Sequence, residues 1–527
     1  MRRRRMSLYD WQKECLELIK DRNAVISAPT NAGKTRVAYM WMEPALAREG
    51  KHRIIYTSPL KALANEKCDE LISLYGKDMV GIETGDVKRR SNAPILVCTQ
   101  EIYTLRYSQL KQECRVIIDE FHYIFSDNQR TRAYIEGIKR ARPTHKLLIM
   151  SATLSDPEKI RDYLVRTTGK DFVLYHTDFR PTRLTYTDKS FSLHDIPPYT
   201  LIYIFNTRSI DRLAKRLSAS LPPLPLIKRR KIKLLAVEYR INLDKFPEIY
   251  HGVARYHSKL TYTEKRFIER LVREGYIQYV LATNALGVGV NLPFEWVLFG
   301  NLFVPNGGEQ VKPITKIDFV QLAGRAGRKG YFDEGFVGFL LQDFTYEGVD
   351  KNRQIYGELL KKPLEEPVIK LEIDIWSVIK GERTLEEEVE YVVEFSEPKR
   401  DRKEVEEMAR RIKETLSGAS QLELEFLTDF YQPELSLKEN LYLAKLVINA
   451  RLQETEDEEG KTVRFKQIFL TSLGADKDNV NDLLLLRRIG RRLNRKRFKG
   501  VLLVCPDLRD IEERIKELDP LVLEVGL

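Results

Sequence analysis

The 527 residues are 43% hydrophobic and 31% charged, too long for a single core and suited to roughly three domains. A net charge of +11 and a pI of about 9.1 favour a polyanionic partner, and the absence of any run of about eighteen apolar residues means that no helical membrane span is expected. Cys15, Cys68, Cys98, Cys114 and Cys505 show no C-x-x-C spacing, and the basic start MRRRRMSLYDWQ has no apolar segment behind it, so a cytoplasmic protein with reduced, buried thiols is expected.

Up to about residue 345, short apolar runs alternate with amphipathic patterns. NAVISA, RIIYT, PILVCT, CRVIID and KLLIMS, then TLIYIF, YIQYVLA and WVLFG, have the length and β-branching of strands buried on both faces of a parallel sheet. SIDRLAKRLSASL and TEKRFIERLVREG read as helices between them, which predicts α/β architecture. TDFRPTRL (177–184) suits a linker, and the second set of runs spans about 200–342. Within that set, the proline-rich and basic LPPLPLIKRRKIK (221–233) reads as an exposed loop. Beyond 345 the chain turns charged and helical, as in LEEEVEYVVEF and KEVEEMARRIKETL, with a late strand-like run, KGVLLVCP. The expected domains are 1–180, 181–345 and 346–527.

In the first half a polar cluster follows almost every apolar run: APTNAGKT, SPLKALANE, TQE, DEFH and SAT. Ligands of open parallel sheets bind beyond the carboxyl ends of the strands, so these clusters define one functional edge. VISAPTNAGKTR (25–36) looks like a phosphate-binding loop in which Ala28 stands where the usual pattern has glycine, a degenerate match that alone does not separate a nucleotide site from chance. Gly33 lets successive N–H groups face a phosphate, Lys34 supplies a point charge, and Thr35 can ligate Mg²⁺. The helix that begins there adds its positive dipole end. In VIIDEFH (116–122), Asp119 follows a buried-type strand and can hold that Mg²⁺. Glu120 can orient and deprotonate an attacking water. Adjacent acids are more often a solvated turn, but here they lie downstream of a lysine loop.

Together, APTNAGKT, SPLKALANE, TGD, TQE, DEFH and SAT, then YIFNTRS, ATNALGVGVNLP and QLAGRAGRKG, resemble the ordered motifs of superfamily 2 DExH-box helicases, over about residues 7–342. SPLKALANE, FRPTRL, GVNLP and QLAGRAGR look most like the branch of the Ski-complex RNA helicases and the archaeal fork-repair DNA helicases. The resemblance implies two tandem RecA-like parallel-sheet domains and a mainly helical C-terminal region, winged-helix-like in part. It also implies a phosphate loop that commonly starts on alanine. By the same resemblance ATP is held by Ala28, Thr30, Gly33, Lys34 and Thr35, with Gln12 reading the adenine and Gly289 and Asn291 contacting the nucleotide. Lys34, Asp119, Glu120, Gln321, Arg325 and Arg328 would be catalytic, Arg325 and Arg328 pointing at the γ-phosphate from the second domain. His122, Ser151 and Thr153 would couple hydrolysis to movement, and Mg²⁺ with ATP, on Thr35 and Asp119, is the metal implied.

Lys61, Asn65, Gly85, Thr99, Arg208 and Thr283 fall in clusters that, by resemblance, touch the sugar-phosphate backbone, which positions a strand without reading sequence. RRIGRRLNRKRFK (487–499) carries eight basic residues and no acid. On a helix Arg488, Arg491, Arg492 and Arg495 would share one face, either a solvated face or a strand contact. In NLFVPNGGEQVKP (301–313), extended stretches flank Asn306-Gly307-Gly308, a signal for a hairpin over 303–313 that is either an ordinary surface hairpin or, as the resemblance implies, a strand-splitting one with Phe303, Val304 and Pro305 as its wedge. The expected protein is an ATP-dependent helicase or translocase with 3′-to-5′ polarity, on single-stranded or partly duplex nucleic acid. DNA is favoured over RNA because no long insertion is found, and protein partners would use the C-terminal region. The alternative is a clamp or remodeller that does not unwind. A decayed, non-catalytic module is opposed by the intact lysine, acids and arginines.

Overall fold

The computed structural model describes residues 8–126, 128–257, 259–283, 292–306, 309–341, 348–457 and 459–518. The chain divides into two compact units, Met1–Val304 with Pro313–Lys370, and Pro305–Lys312 with Leu371–Leu527. The first unit holds two sheets. One is built from β1 (Asn23–Ser27), β2 (Arg53–Ser58), β3 (Val80–Glu83), β4 (Lys88–Arg89), β5 (Ile95–Thr99), β6 (Cys114–Ile118), β7 (His145–Ser151) and β8 (Phe172–His176), in the order β4-β3-β5-β2-β6-β7-β1-β8. Every pairing is parallel except β3 with β4 at the edge. The central strands β2, β5 and β6 are apolar because helices cover both faces, and they are buried almost throughout.

The second sheet is parallel throughout: β9 (Arg183–Phe191), β10 (Thr200–Tyr203), β11 (Val253–Tyr256), β12 (Tyr279–Ala282), β13 (Trp296–Phe299) and β16 (Glu334–Leu340), ordered β11-β12-β10-β13-β16-β9. Between β13 and β16, β14 (Phe303–Asn306) and β15 (Glu309–Pro313) pair as a hairpin, and its turn at 307–308 lies outside the described residues. The architecture is the expected pair of RecA-like parallel-sheet domains.

One expectation fails in this sheet's helical layer. The segment 221–233 is not a loop: a helix runs over Leu226–Tyr239. The prolines end at Pro225, and the run beyond is made of good helix formers that bury Ile232 and Ala236, one turn apart.

From Leu371 on, the second unit runs through a short helix, Ile375–Ile379, and then helices Leu385–Phe395, Arg402–Ser417, Gln421–Phe430 and Leu437–Asn449. Three start on reciprocal caps that the sequence spells out, Thr384 with Glu387, Ser420 with Glu423 and Ser436 with Glu439. A four-stranded sheet follows: β17 (Leu452–Glu456), β18 (Thr462–Gln467), β19 (Arg497–Phe498) and β20 (Val501–Val504), ordered β17-β18-β20-β19. The late apolar run is β20, whose Leu503 joins Phe426, Leu443, Ile489 and Ile511 in the core. All five cysteines are buried and unpaired. No described helix is long and apolar enough to cross a membrane.

Candidate nucleotide site and strand-binding edge

Parallel pairing in the order β5-β2-β6-β7-β1 carries five consecutive strands to one edge, so the polar clusters that follow them become neighbours. Ala28 is fully buried, its N–H donating to Ser151 O (3.4 Å), so it continues β1 into the core and leaves the turn to later residues. Asn31 and Gly33 take left-handed backbone, at φ 67° and 103°. The positive φ favours glycine at Gly33, and a Cβ there would lie 2.6 Å from Gln12 Nε2 and displace that amide. Gln12 is buried: it accepts from Tyr9 N–H (3.0 Å) and donates to Gly33 O (3.0 Å). Lys34 opens the helix Lys34–Trp41 and donates to the carbonyls of Ala28 and Pro29, 3.0 Å to the latter. Burial lowers its pKa, opposed by Glu120 and Asp119, while Arg325 and Arg180 add to the lowering.

At the end of β6, Asp119 Oδ1 accepts from Glu120 N–H (2.9 Å) and Oδ2 accepts from the Tyr56 hydroxyl. Burial, then the Glu120 charge, raise the Asp119 pKa, opposed by Lys67, by the Tyr56 hydrogen bond and by Lys34. Glu120 sits at φ 51°, a strained left-handed position for a side-chain-bearing residue. His122 Nδ1 lies 3.4 Å from Glu120 Oε2, and burial pushes the imidazole down to about 4, so it is neutral at physiological pH. Ser151, at the end of β7, is buried with its Oγ unpartnered, and Thr153 is half-buried close behind it.

The second sheet brings its arginine segment onto this loop. Asn31 Nδ2 donates to Gly324 O (2.9 Å), and a Cβ at Gly324 would lie 3.0 Å from Thr30 Cβ. Gln321, in the last turn of the helix Lys316–Ala323, has a buried Nε2 without a partner. Arg325 lies within electrostatic range of Lys34. The Arg328 guanidinium packs over the Tyr331 ring at 5.7 Å, and burial takes its pKa down to about 10, which leaves it cationic. Gly289 and Asn291 lie outside the described residues.

Of the strand-contact candidates, Lys61, Asn65 and Gly85 come together. Asn65 donates to Lys61 O (2.9 Å), Lys61 pairs with Asp86 (2.7 Å), and a Cβ at Gly85 would lie 3.3 Å from Lys61 Nζ. Thr99 ends β5 and is buried, and Thr283 follows β12, donating its N–H to Tyr256 O (3.2 Å). Arg208 begins the helix Thr207–Ser220 after β10, its side chain outside the description.

Two expectations need correction. Phe303 is 5% exposed, packed in the core with Lys351 over its ring at 5.3 Å, and a ring so enclosed has no face to offer a base. The basic run is not one helical face: the helix Val480–Leu493 ends before Arg495, which takes φ 60°. Arg491 joins Arg487 on Glu512 (2.7 and 2.9 Å), Arg492 donates to Gln432 (3.2 Å), and Arg488 lies 3.8 Å from Glu434. Much of that charge is spent within its own unit.

Reasoning from sequence missed Tyr56, Asn31 and Arg180. Tyr56 looks like an ordinary strand residue, and Asn31 occupies a variable position of the loop. Arg180, in the segment read as a linker, donates to the carbonyls of Gly324 and Ala326 (3.4 and 3.1 Å). Only its place in FRPTRL hinted at a role.

Known proteins match the same regions. The profile of the DEAD/DEAH box helicase family covers residues 9–160 and that of the helicase conserved C-terminal domain covers 225–330. The probable helicase HelY of Mycobacterium tuberculosis is 27% identical over 62% of this chain and 45% of its own length. An ATP-dependent DNA helicase of Thermoplasma acidophilum is 30% identical over 62% of this chain and 52% of its own. The ATP-dependent RNA helicase mtr4 of Schizosaccharomyces pombe is 25% identical over 62% and 36%. The matches thus span about half the length of these relatives or less. The crystal structure of the DUF1998 helicase MrfA bound to DNA shares the fold, with a TM-score of 0.51 at 18% identity over 68% of this chain and 52% of that one. Residues 9–160 and 225–330 thus match the DEAD/DEAH box helicase and helicase conserved C-terminal domains, in that order on two parallel sheets, and over these regions the chain is similar to superfamily 2 helicases.

Proposed function

We propose that this chain is an ATP-dependent nucleic-acid helicase that moves 3′ to 5′ along a single strand and separates duplex ahead of it. The observation that carries the reading is the junction of Asn31 with Gly324, because it sets the arginine segment of one sheet against the phosphate loop of the other. Lys34 would exchange the carbonyls of Ala28 and Pro29 for phosphate oxygens, and the N–H groups following Gly33 would face the same anion. Glu120 would accept a proton from the attacking water, with neutral His122 beside it. Arg325 and Arg328 would stabilise charge developing on the transferred phosphoryl, and Gln321 would orient the water through its buried, unpartnered amide.

Mg²⁺ fits the donors present. Thr35 and Asp119 offer hard oxygens, and Asp119 is a buried carboxylate whose charge is opposed by burial and by Glu120, a penalty that a cation relieves. When bound with ATP the ion would supply positive charge to the phosphates. Lys61, Asn65, Gly85, Thr99, Arg208 and Thr283 would follow the backbone of the strand, and Val304 and Pro305 with the rest of the β14–β15 hairpin would split the duplex. Residual contact of Arg488 and Arg492 with the strand is part of the proposal.

The polymer favoured is DNA, in line with the Thermoplasma relative, whose name specifies DNA, against the more distant yeast relative, whose name specifies RNA. Buried, unpaired cysteines support a cytoplasmic location. The deciding experiment measures ATP hydrolysis with single-stranded DNA and RNA in parallel, with Glu120→Gln as the inactive control. Stimulation by DNA above RNA is expected, and no stimulation by either would refute the reading.

A further inference from the structure

The helix Leu226–Tyr239 takes no part in the site described above. Its inner face buries Ile232 and Ala236 and packs Leu235 and Tyr239 against the same core, while Leu226, Ile227, Leu234 and Val237 are 56, 71, 71 and 78% exposed. Single exposed aliphatics are ordinary on a protein surface. At 100° per residue, however, these four fall within one stripe about 100° wide, and Arg230 falls in the middle of it.

The helix is also built against its own electrostatics. It has no side-chain N-cap and no acid in its first turn. Four cations, Lys228 through Lys231, crowd its amino-terminal half with Lys233 just beyond, and the helix dipole disfavours the two in its first turn, Lys228 and Arg229. Several stand three or four residues apart, a like-charge spacing that costs stability. Among the described residues none of the five forms an ion pair, and Glu238 is the one acid of the helix. Carboxylates from outside could reach the exposed Arg230, Lys231 and Lys233 and relieve their mutual repulsion.

We propose that this face docks an acidic amphipathic helix of a partner protein, whose leucine-type side chains cover the stripe and whose carboxylates meet Arg230, Lys231 and Lys233. A second copy of the chain is disfavoured because the same cations would face each other. A lipid surface is disfavoured because Arg230 occupies the centre of the stripe, where an inserting helix carries its aliphatics. A nucleic-acid backbone makes no use of four exposed aliphatics.

The probe is a fluorescein-labelled leucine/glutamate amphipathic peptide titrated into the full chain, followed by anisotropy and by amide hydrogen exchange. Binding should weaken with salt, slow exchange in 226–239, and fall by about tenfold or more in Leu234→Asp/Val237→Asp and in Arg230→Glu/Lys233→Glu. Both pairs are exposed, so thermal melting and basal ATP hydrolysis should match the wild type. Equal peptide binding by wild type and variants, or protection elsewhere in the chain, would overturn the proposal. So would variants that keep the peptide but lose single-stranded DNA or equimolar phosphatidylcholine/phosphatidylserine vesicles, which would assign the face to a strand or to lipid.

Discussion

Removing one oxygen, in Tyr56→Phe, should move the pH dependence of ATP hydrolysis while leaving the fold intact. Tyr56 is fully buried in β2 and its hydroxyl donates to Asp119 Oδ2. Burial and the Asp119 charge hold the phenol well above 10, so it donates throughout the working range. Asp119 is already pushed upward by burial and by Glu120, and the Tyr56 hydrogen bond is one of the few contributions opposing that. A hydrogen bond is worth about 1.5–3 kcal/mol to a charged acceptor against about 0.5–1.5 kcal/mol to a neutral one, and the difference, at 1.36 kcal/mol per unit, moves the limb by about one pH unit. Losing it favours the protonated acid, so the acid limb of the kcat profile should shift to higher pH by about that amount. Activity should recover on the alkaline side, and the Mg²⁺ concentration for half-maximal rate should rise near neutrality. The assay is steady-state ATP hydrolysis with saturating single strand between pH 5.5 and 9. An acid limb that stays in place would show that Asp119 does not set it, or that Tyr56 does not hold Asp119.

Arg328→Ala should slow hydrolysis on the order of 10³-fold with ATP still bound, and near-normal turnover would show that the second sheet does not complete the site. Cutting the hairpin back between residues 305 and 312, with the buried Phe303 kept, should spare single-strand-stimulated hydrolysis and abolish unwinding in a fluorescent duplex assay; surviving unwinding would place the separating element elsewhere. His122 titrates at about 4 when folded against 6.5 ordinarily, so the unfolded chain takes up its proton first as pH falls. The stabilisation is full above pH 6.5 and is lost between 6.5 and 4, about 3 kcal/mol in all. Urea unfolding of His122→Asn against wild type should show that slope removed, and parallel curves would refute the burial argument.

The nucleotide edge was legible because each polar cluster stands at the end of a strand too apolar to be anything but central, as with Asp119 after VII and Ser151 after LLIM. What escaped depended on partners far away in the chain. Nothing local marks Tyr56 as the donor to Asp119, or Gln12 as a buried brace under Gly33. In 221–233 the prolines and charges outweighed a helical period that only two buried residues reveal. Phe303 looked like a wedge because a turn signal follows it, yet burial is decided by the core beneath and not by the turn. In the tail, the cap signals before the helices were readable, whereas pairing β18 with β20 spans more than thirty residues and leaves no local period.

The connection between the two sheets has a mechanical consequence. Only residues 177–182 separate β8 from β9, and both ends of that stretch are fastened: Thr177 N–H donates to Ser27 O (3.1 Å), while Arg180 grips the carbonyls of Gly324 and Ala326. A rotation that parts the two lobes must therefore either break the guanidinium contacts or drag the arginine segment along with the connection. The segment behaves as a crossbar rather than a slack tether. Opening the lobes would have to break the Arg180 contacts together with the Asn31 contact to Gly324.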